Sequence, residues 1–477
     1  MALPSFAGRR QLAVASGLLL FLSVAFEAFA AITVSPVDSR YFADGDSGRT
    51  WIPVGCNTCF DHNANDSAAA RRLYEGWMAS FATNGGNYLR VWLSAPFLDV
   101  MPDEAYRFSA EAEENLKWLV SRAEVHGLRL KFTLENFRRL GLKSDADPEK
   151  GVISFKSTVY APFAKRMREV FTSEKCADIY LAKARRIAEL VGRSDALVAV
   201  ELWNEINSVS EADLNVLGAW SERMLAEMKK LFPGKMTLQN VGSFSEDSGF
   251  AIYDWLGQLK GNDFMQAHRY FDPGADLDVA RGPMDVLCAD AVRELLDRRP
   301  DLPAVLAETG CVERHHASYS HLYRLDTQGM MLHDEIFAAF FAGSAGSGEP
   351  WHWDHQYISQ HGLWWHFARF AKAVEGLDPA AEHFRPFRTE SSRLRFWGLR
   401  GNRTTVIWLR DKRNTLLTEV ECGRRPEPVA GEAFRAACFR RSRYDWYLPW
   451  TDASLTMTDC KMPTFTRSAV VRFATQK

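Results

Sequence analysis

Short apolar runs recur between residues 34 and 384, and the stretches between them bring apolar positions back every three or four residues. The runs are Trp51 to Gly55, Asn87 to Leu93, Leu128 to Leu134, Ala196 to Leu202, Met236 to Leu238, Phe264 to Ala267, Ala304 to Ala307 and Phe340 to Gly343. Near-continuous apolar runs of this length fit parallel strands buried on both faces. Between the second and third runs, Leu116, Leu119, Val120 and Ala123 make one helical stripe, and Gly127 ends it. Between the fourth and fifth, Ser210 to Asp213 resembles a capping box. Leu214, Leu217, Leu225, Met228 and Leu231 then carry the stripe to Pro233-Gly234.

Eightfold alternation of strand and helix fits either a (β/α)8 TIM barrel or a doubly wound sheet. Polar residues decide for the barrel, because they follow the strands' C-terminal ends run after run, where a barrel builds its active face. After Arg385-Pro386 the period changes to two: Leu394, Phe396 and Gly398 alternate with polar residues, Val406 to Leu409 and Ser468 to Phe473 read as strands, and no helical stripe is left. The expected organisation is a barrel over 31–385 and a small β-sandwich over 386–477, packed against the barrel.

The first thirty residues stand apart. Arg9 and Arg10 precede an apolar stretch from Leu12 to Phe26, and Ala28-Phe29-Ala30 fits a signal-peptidase site, so 1–30 reads as a secretory signal and the mature chain as a secreted protein. The stretch is shorter than the roughly 20 residues that span a bilayer, and no membrane association is expected after its removal. A net charge of −2 without Lys/Arg runs argues against nucleic acid as a partner. Eight cysteines in an exported chain could pair, in a pattern the sequence does not fix. Cys56 and Cys59 lack the second half of a zinc site, so no metal and no cofactor is expected. The 15 Trp mostly fill cores, but flat indoles also stack on the apolar faces of sugars.

Two carboxylic acids stand where a barrel displays its chemistry. Glu205 follows the fourth run in ELWNEIN and Glu308 ends the seventh in VLAETG. Either alone could be a surface turn. As a pair on different strands they suit retaining glycoside hydrolysis, in which one carboxyl protonates the leaving oxygen and the other attacks the anomeric carbon.

With these residues in place the chain resembles glycoside hydrolase family 5 and its clan A relatives over about 35–385. The resemblance implies Asn204-Glu205 as acid/base with its substrate-binding neighbour, and Glu308 as nucleophile. It implies Arg90 and the Tyr270 of His268-Arg269-Tyr270 as partners of the nucleophile, His268 as a site residue, and Trp351 or Trp353 as the aromatic floor. The run after the third strand, Glu135-Asn136-Phe137, departs from the histidine many members carry there, which keeps a neighbouring clan A family in view. The resemblance implies a β-linked, mannan- or glucan-like carbohydrate substrate. A transglycosylase with the same site, a non-catalytic carbohydrate-binding barrel and a metal-dependent hydrolase are the alternatives. His315-His316 reads as surface, Gly343 to Gly348 as a loop bending over the barrel rim, and Glu205 as an acid whose pKa is raised by the neighbouring nucleophile.

Overall fold

The structure, a computed structural model, describes residues 31–61, 66–140, 158–211, 213–354, 356–430, 443–459 and 461–475. Residues 1–30, where a secretory signal is expected, and residues 141–157 of the long connection after the third strand lie outside the described residues.

Barrel strands one to five are Gly55–Asn57, Tyr88–Trp92, Arg129–Glu135, Leu197–Trp203 and Met236–Leu238, and they pair in parallel in that order. Strands six and seven, Met265–Phe271 and Ala304–Cys311, pair parallel with each other. Strand five meets strand six through Asp263 N donating to Thr237 O at 3.0 Å. All residues of these seven strands are buried, as the apolar runs required.

The eighth run is a correction. Phe340 belongs to a helix, Met330–Phe341, and the eighth barrel position is filled instead by an extended segment at 345–351. Ala345, Glu349 and Trp351 donate backbone N–H groups to Ala304, Leu306 and Thr309 at 2.8–2.9 Å, while Ser347 N reaches Pro53 O and Asn57 N reaches Pro350 O on the other side. These bonds close the ring. The run misled because Met330–Phe341 is buried on every side, and such a helix has no polar face to give it a helical period. The glycine-rich stretch lies at this closure and not over the rim. A Cβ on Gly346 would come within 2.4 Å of Pro53 O, and one on Gly348 within 2.2 Å of Glu335 O.

The outer helices start where side-chain caps satisfy their first N–H groups: Asp66 for Ser67–Thr83, Ser109 for Ala110–Val125, Ser173 for Glu174–Val191 and Asp213 for Leu214–Leu231. In the last of these Asp213, at the end of the expected capping box, is the capping residue. Leu116, Leu119, Val120 and Ala123 are all buried, so the stripe faces the barrel as expected. Among the described residues no helix is long and apolar enough to cross a membrane.

The C-terminal part is one antiparallel sheet of six strands in the described residues, ordered Arg385–Glu390, Leu394–Arg400, Thr404–Asp411, Ser468–Ala474, Tyr444–Leu448 and Ala453–Met457. Its period-two pattern separates two faces. Trp397, Leu399, Val406, Trp408 and Val470 join the barrel's hydrophobic core, whereas Phe396, Ile407, Leu409 and Val471 form a second cluster with Val429, Met462 and Phe465. The face turned to the barrel packs on a helical layer, Met330–Phe341 and its neighbours, while on the other face Val429 and Phe465 pair antiparallel over the second cluster.

Buried ion pairs fix the seam. Arg395 holds Asp285 of the helix Met284–Arg298 through two 2.6 Å bonds, and Trp397 Nε1 donates to the same carboxylate at 3.0 Å. Arg410 holds Asp334 of Met330–Phe341 in the same way, at 2.7 and 3.0 Å. Breaking such a pair strands a buried charge. Asp285→Ala should lower global stability by about 3–5 kcal/mol, read as a shift in the denaturant midpoint; a change under about 1 kcal/mol would mean that water already reaches the seam.

Candidate active site

The interior of this barrel is not wholly apolar. Lys131, Glu201 and Gln266, from strands three, four and six, point inward together with Glu349 of the closing segment, and all are buried. Lys131 Nζ donates to Gln266 Oε1 at 2.7 Å and lies 3.5 Å from Glu349 Oε2, while Gln266 Nε2 donates to Glu201 Oε2 at 2.5 Å. Burial would raise the Glu201 carboxyl, but Arg90 and then Lys131 outweigh it and hold it below the usual carboxylate range.

Arg90 is the next layer up. Its side chain is fully buried, and one nitrogen, Nη2, donates to Glu201 Oε1 at 2.6 Å and to Asn204 Oδ1 at 2.7 Å. The other, Nη1, pairs with Glu308 Oε1 and reaches Asn57 Oδ1 at 3.3 Å. Burial works against the guanidinium, but Glu201 and Glu308 on either side keep it charged. The second Glu308 oxygen accepts from the Tyr270 hydroxyl at 2.8 Å and lies 3.3 Å from His268 Nδ1. Burial first, and the Glu308 charge next, push the Tyr270 phenol up, so it remains a donor. Glu308 owes its position to a bulge: Leu306 pairs with Ala267 but Glu308 with His268, so one extra residue of strand seven turns the carboxyl toward the ring centre.

Glu205 sits at a bend. Its φ of 49° and ψ of 55° are left-handed, a conformation that costs a non-glycine residue energy and persists where the surroundings enforce it. Here its backbone N–H donates to Asn240 Oδ1 at 2.6 Å. That bond identifies the other Asn240 atom as the amide nitrogen, which lies 3.3 Å from His268 Nε2. A donor facing Nε2 leaves the neutral ring's proton on Nδ1, 2.8 Å from Glu205 Oε1. Glu205 Oε2 pairs with Arg138.

The two carboxylates thus share one place. An oxygen of Glu205, an oxygen of Glu308 and a His268 nitrogen all lie within 4.8 Å of one another, with a side-chain exposure of 11% for Glu205 and 5% for Glu308. The trio has the spacing of a metal-ligand set, but Arg90 and Arg138 already supply counter-charge to both carboxylates. Both acids line a cavity of about 310 Å³ whose walls include Trp92, Trp351, Tyr319 and Arg138.

No family model and no curated protein matches the sequence. Among solved structures, a glycoside hydrolase family 5 protein from Bacteroides vulgatus ATCC 8482 aligns over 93% of each chain with a TM-score of 0.56 at 10% identity. The exo-β-1,4-mannosidase Op5Man5 from Opitutaceae bacterium strain TAV5 aligns over 70% of this chain and 61% of its own, with a TM-score of 0.50 at 20% identity. The fold is that of glycoside hydrolase family 5.

On this family 5 fold, Asn204, Glu205, Tyr270, Glu308 and Trp351 line the cavity. Arg90, expected as a partner of Glu308, and His268, expected as a site residue, both touch the carboxylates but are fully buried and do not line the cavity. Of the two candidate tryptophans, Trp351 is the one on the cavity wall; Trp353 is wholly buried, edge-on behind Trp351 and against Phe60 and Trp77. Trp92 shares the wall, tilted against Trp351 at 5.5 Å. His316 is exposed as expected, but to the cavity, edge-on to Tyr270 at 5.0 Å. The expected rise in the Glu205 pKa is reversed. Burial raises it, but Arg138, His268 and His316 bring it below the ordinary carboxylate value.

Sequence reasoning passed over Arg138, Asn240 and the buried set of Lys131, Glu201, Gln266 and Glu349. Glu201 did leave a trace, since it interrupts an otherwise apolar strand. Six described cysteines are free thiols, five of them buried; Cys438 and Cys460 lie outside the described residues.

The tautomer assignment is open to measurement. With the His268 ring neutral, its side-chain nitrogen NMR signals should place the proton on Nδ1 in the wild type. In Asn240→Asp, where both side-chain oxygens accept, a proton should appear on Nε2. A wild-type ring carrying its proton on Nε2 would contradict the network.

Proposed function

We propose that this chain is a secreted, retaining glycoside hydrolase that cleaves a β-linked, mannan- or glucan-like carbohydrate. The observation that carries this reading is the separation of the Glu205 and Glu308 carboxylates, within 4.8 Å on one cavity wall. Retaining enzymes hold their carboxyl groups roughly 5–5.5 Å apart, whereas inverting ones leave roughly 6.5–9.5 Å for a water.

Glu308, ionised beside Arg90 and steered by the Tyr270 hydroxyl, attacks the anomeric carbon. The bond to the leaving oxygen breaks as that oxygen takes a proton from Glu205. Water then adds to the glycosyl-enzyme, giving its proton to Glu205 and releasing Glu308. Asn204 spends its oxygen on Arg90, so the group it has left to offer the sugar is an amide donor. The reacting ring would lie on the Trp351 and Trp92 walls. The exo-β-1,4-mannosidase among the structural neighbours makes β-mannosides the first substrates to try. The same geometry would serve transfer to a second sugar in place of water. Residues 1–30 supply the basis for secretion.

Glu308→Gln should abolish turnover. Glu205→Ala should lower cleavage of natural glycosides about 10²–10⁴-fold while sparing 2,4-dinitrophenyl glycosides, whose leaving group needs no proton. The first sugar released should keep its β configuration by NMR, and a 2-deoxy-2-fluoro glycoside should add one glycosyl mass to the wild type but not to Glu308→Gln. Release of the α anomer would overturn the assignment.

A further inference from the structure

Arg138 conflicts with the role just given to Glu205. A general acid needs one oxygen free to carry a proton toward the substrate. Glu205 Oε1 is taken by His268 Nδ1–H, and Oε2 is taken by the Arg138 guanidinium. The Arg138 charge beside Oε2 favours the carboxylate over the acid, and so opposes the protonation this role requires.

The geometry allows Arg138 to move away. The Arg138 carbonyl is fixed by Ser210 N at 3.0 Å, so the backbone is anchored, but its side chain is 31% exposed and reaches across the cavity wall. Among the described residues lining the cavity, the carboxylates are Glu205 and Glu308 alone, and Glu308 is already held by Arg90. Around Arg138 the wall carries the neutral groups of Asn207, Ser208, Ser243 and Ser245. A neutral sugar hydroxyl is a poor exchange for a carboxylate, because hydrogen bonds between two ionised groups are about twice as strong as neutral ones.

We propose that the natural substrate carries an anionic group, a carboxylate or a sulfate, on the leaving-group side of the scissile bond, and that Arg138 moves from Glu205 to that group when substrate binds. The planar guanidinium fork matches either anion. The charged and titratable groups that face Glu205 are Arg138, His268, His316 and Glu308, with the Tyr253 and Tyr270 phenols. When Arg138 leaves, the Glu308 charge is still there to favour the acid form, and Glu205 takes one proton from solvent. Substrate binding would thus arm the acid, and a neutral ligand would leave it disarmed. This inference rests on the reading of Glu205 as acid/base and adds the substrate class.

The test compares wild type and Arg138→Met on β-linked disaccharides that differ only in the leaving sugar: a neutral hexose, its uronate and its sulfate ester. The wild type should prefer an anionic leaving sugar by about ten- to a hundredfold in kcat/KM, the size of a charge-assisted hydrogen bond. Arg138→Met should lose that preference and gain kcat on the neutral disaccharide, with the alkaline limb of its pH profile moved to higher pH. Preference for the uronate alone, or for the sulfate alone, identifies which anion is meant. Equal wild-type rates on all three, or a preference that survives in Arg138→Met, would overturn the proposal. So would a uniform loss on all three, the mark of a residue that only anchors its loop. Dinitrophenyl glycosides separate the two levels: if the wild type fails on the β-manno and β-gluco forms, the hydrolase reading falls and this proposal with it. If it succeeds on them and shows no anionic preference, only this proposal falls.

Discussion

Arg90 is the group on which the rest of the site depends. A guanidinium sealed from water is tolerable only because its nitrogens meet two carboxylates and two amide oxygens, and those partners come from strands one, four and seven and the turn after strand four. One cation therefore sets the relative positions of Glu308, Asn204 and Glu201. Beneath it, Lys131, Gln266 and Glu349 continue the alternation of charge through the barrel interior, where branched apolar residues usually stack. The polar column is demanding, since each member left without its neighbour would be a buried unpaired group. The return is a Glu308 carboxylate whose direction is fixed from two sides, by Arg90 and by the Tyr270 hydroxyl.

Most of the seven regular strands were legible because each is buried on both faces and so carries a short, largely apolar run. The same rule failed at Phe340, where a fully buried helix looks no different from a strand. It also missed the 345–351 segment, whose Gly, Ser, Pro and Glu residues carry no strand signal although their backbone closes the ring. The six-strand sheet was recognisable from alternation, but alternation cannot say what covers each face. On the side of the barrel that cover is a helical layer.

At the site, Glu205 and Glu308 were read from their positions after apolar runs, and Asn204 and Tyr270 from the resemblance. What the sequence could not convey was depth. Arg90 and His268 lie under the carboxylates, and Trp353 lies behind Trp351, although only His352 separates them along the chain. Arg138 was hidden for a different reason. Its meaning comes from a partner nearly seventy positions away, and an arginine just after a strand is ordinarily a solvated side chain. Asn240 was equally silent. Only the simultaneous contact with the Glu205 backbone and the His268 ring shows that it decides where a proton sits.

The helix Met330–Phe341 is walled in by the barrel on one side and by Trp408 and its sheet on the other, with Asp334 gripped from the sheet side. Neither neighbour could be peeled away without baring a dozen residues that have never met solvent. The C-terminal sheet is accordingly no detachable accessory on a tether, free to swing or to be exchanged between proteins by simple splicing. It is a wall of the barrel's own core, and a substitution on this helix has to suit two neighbours at once.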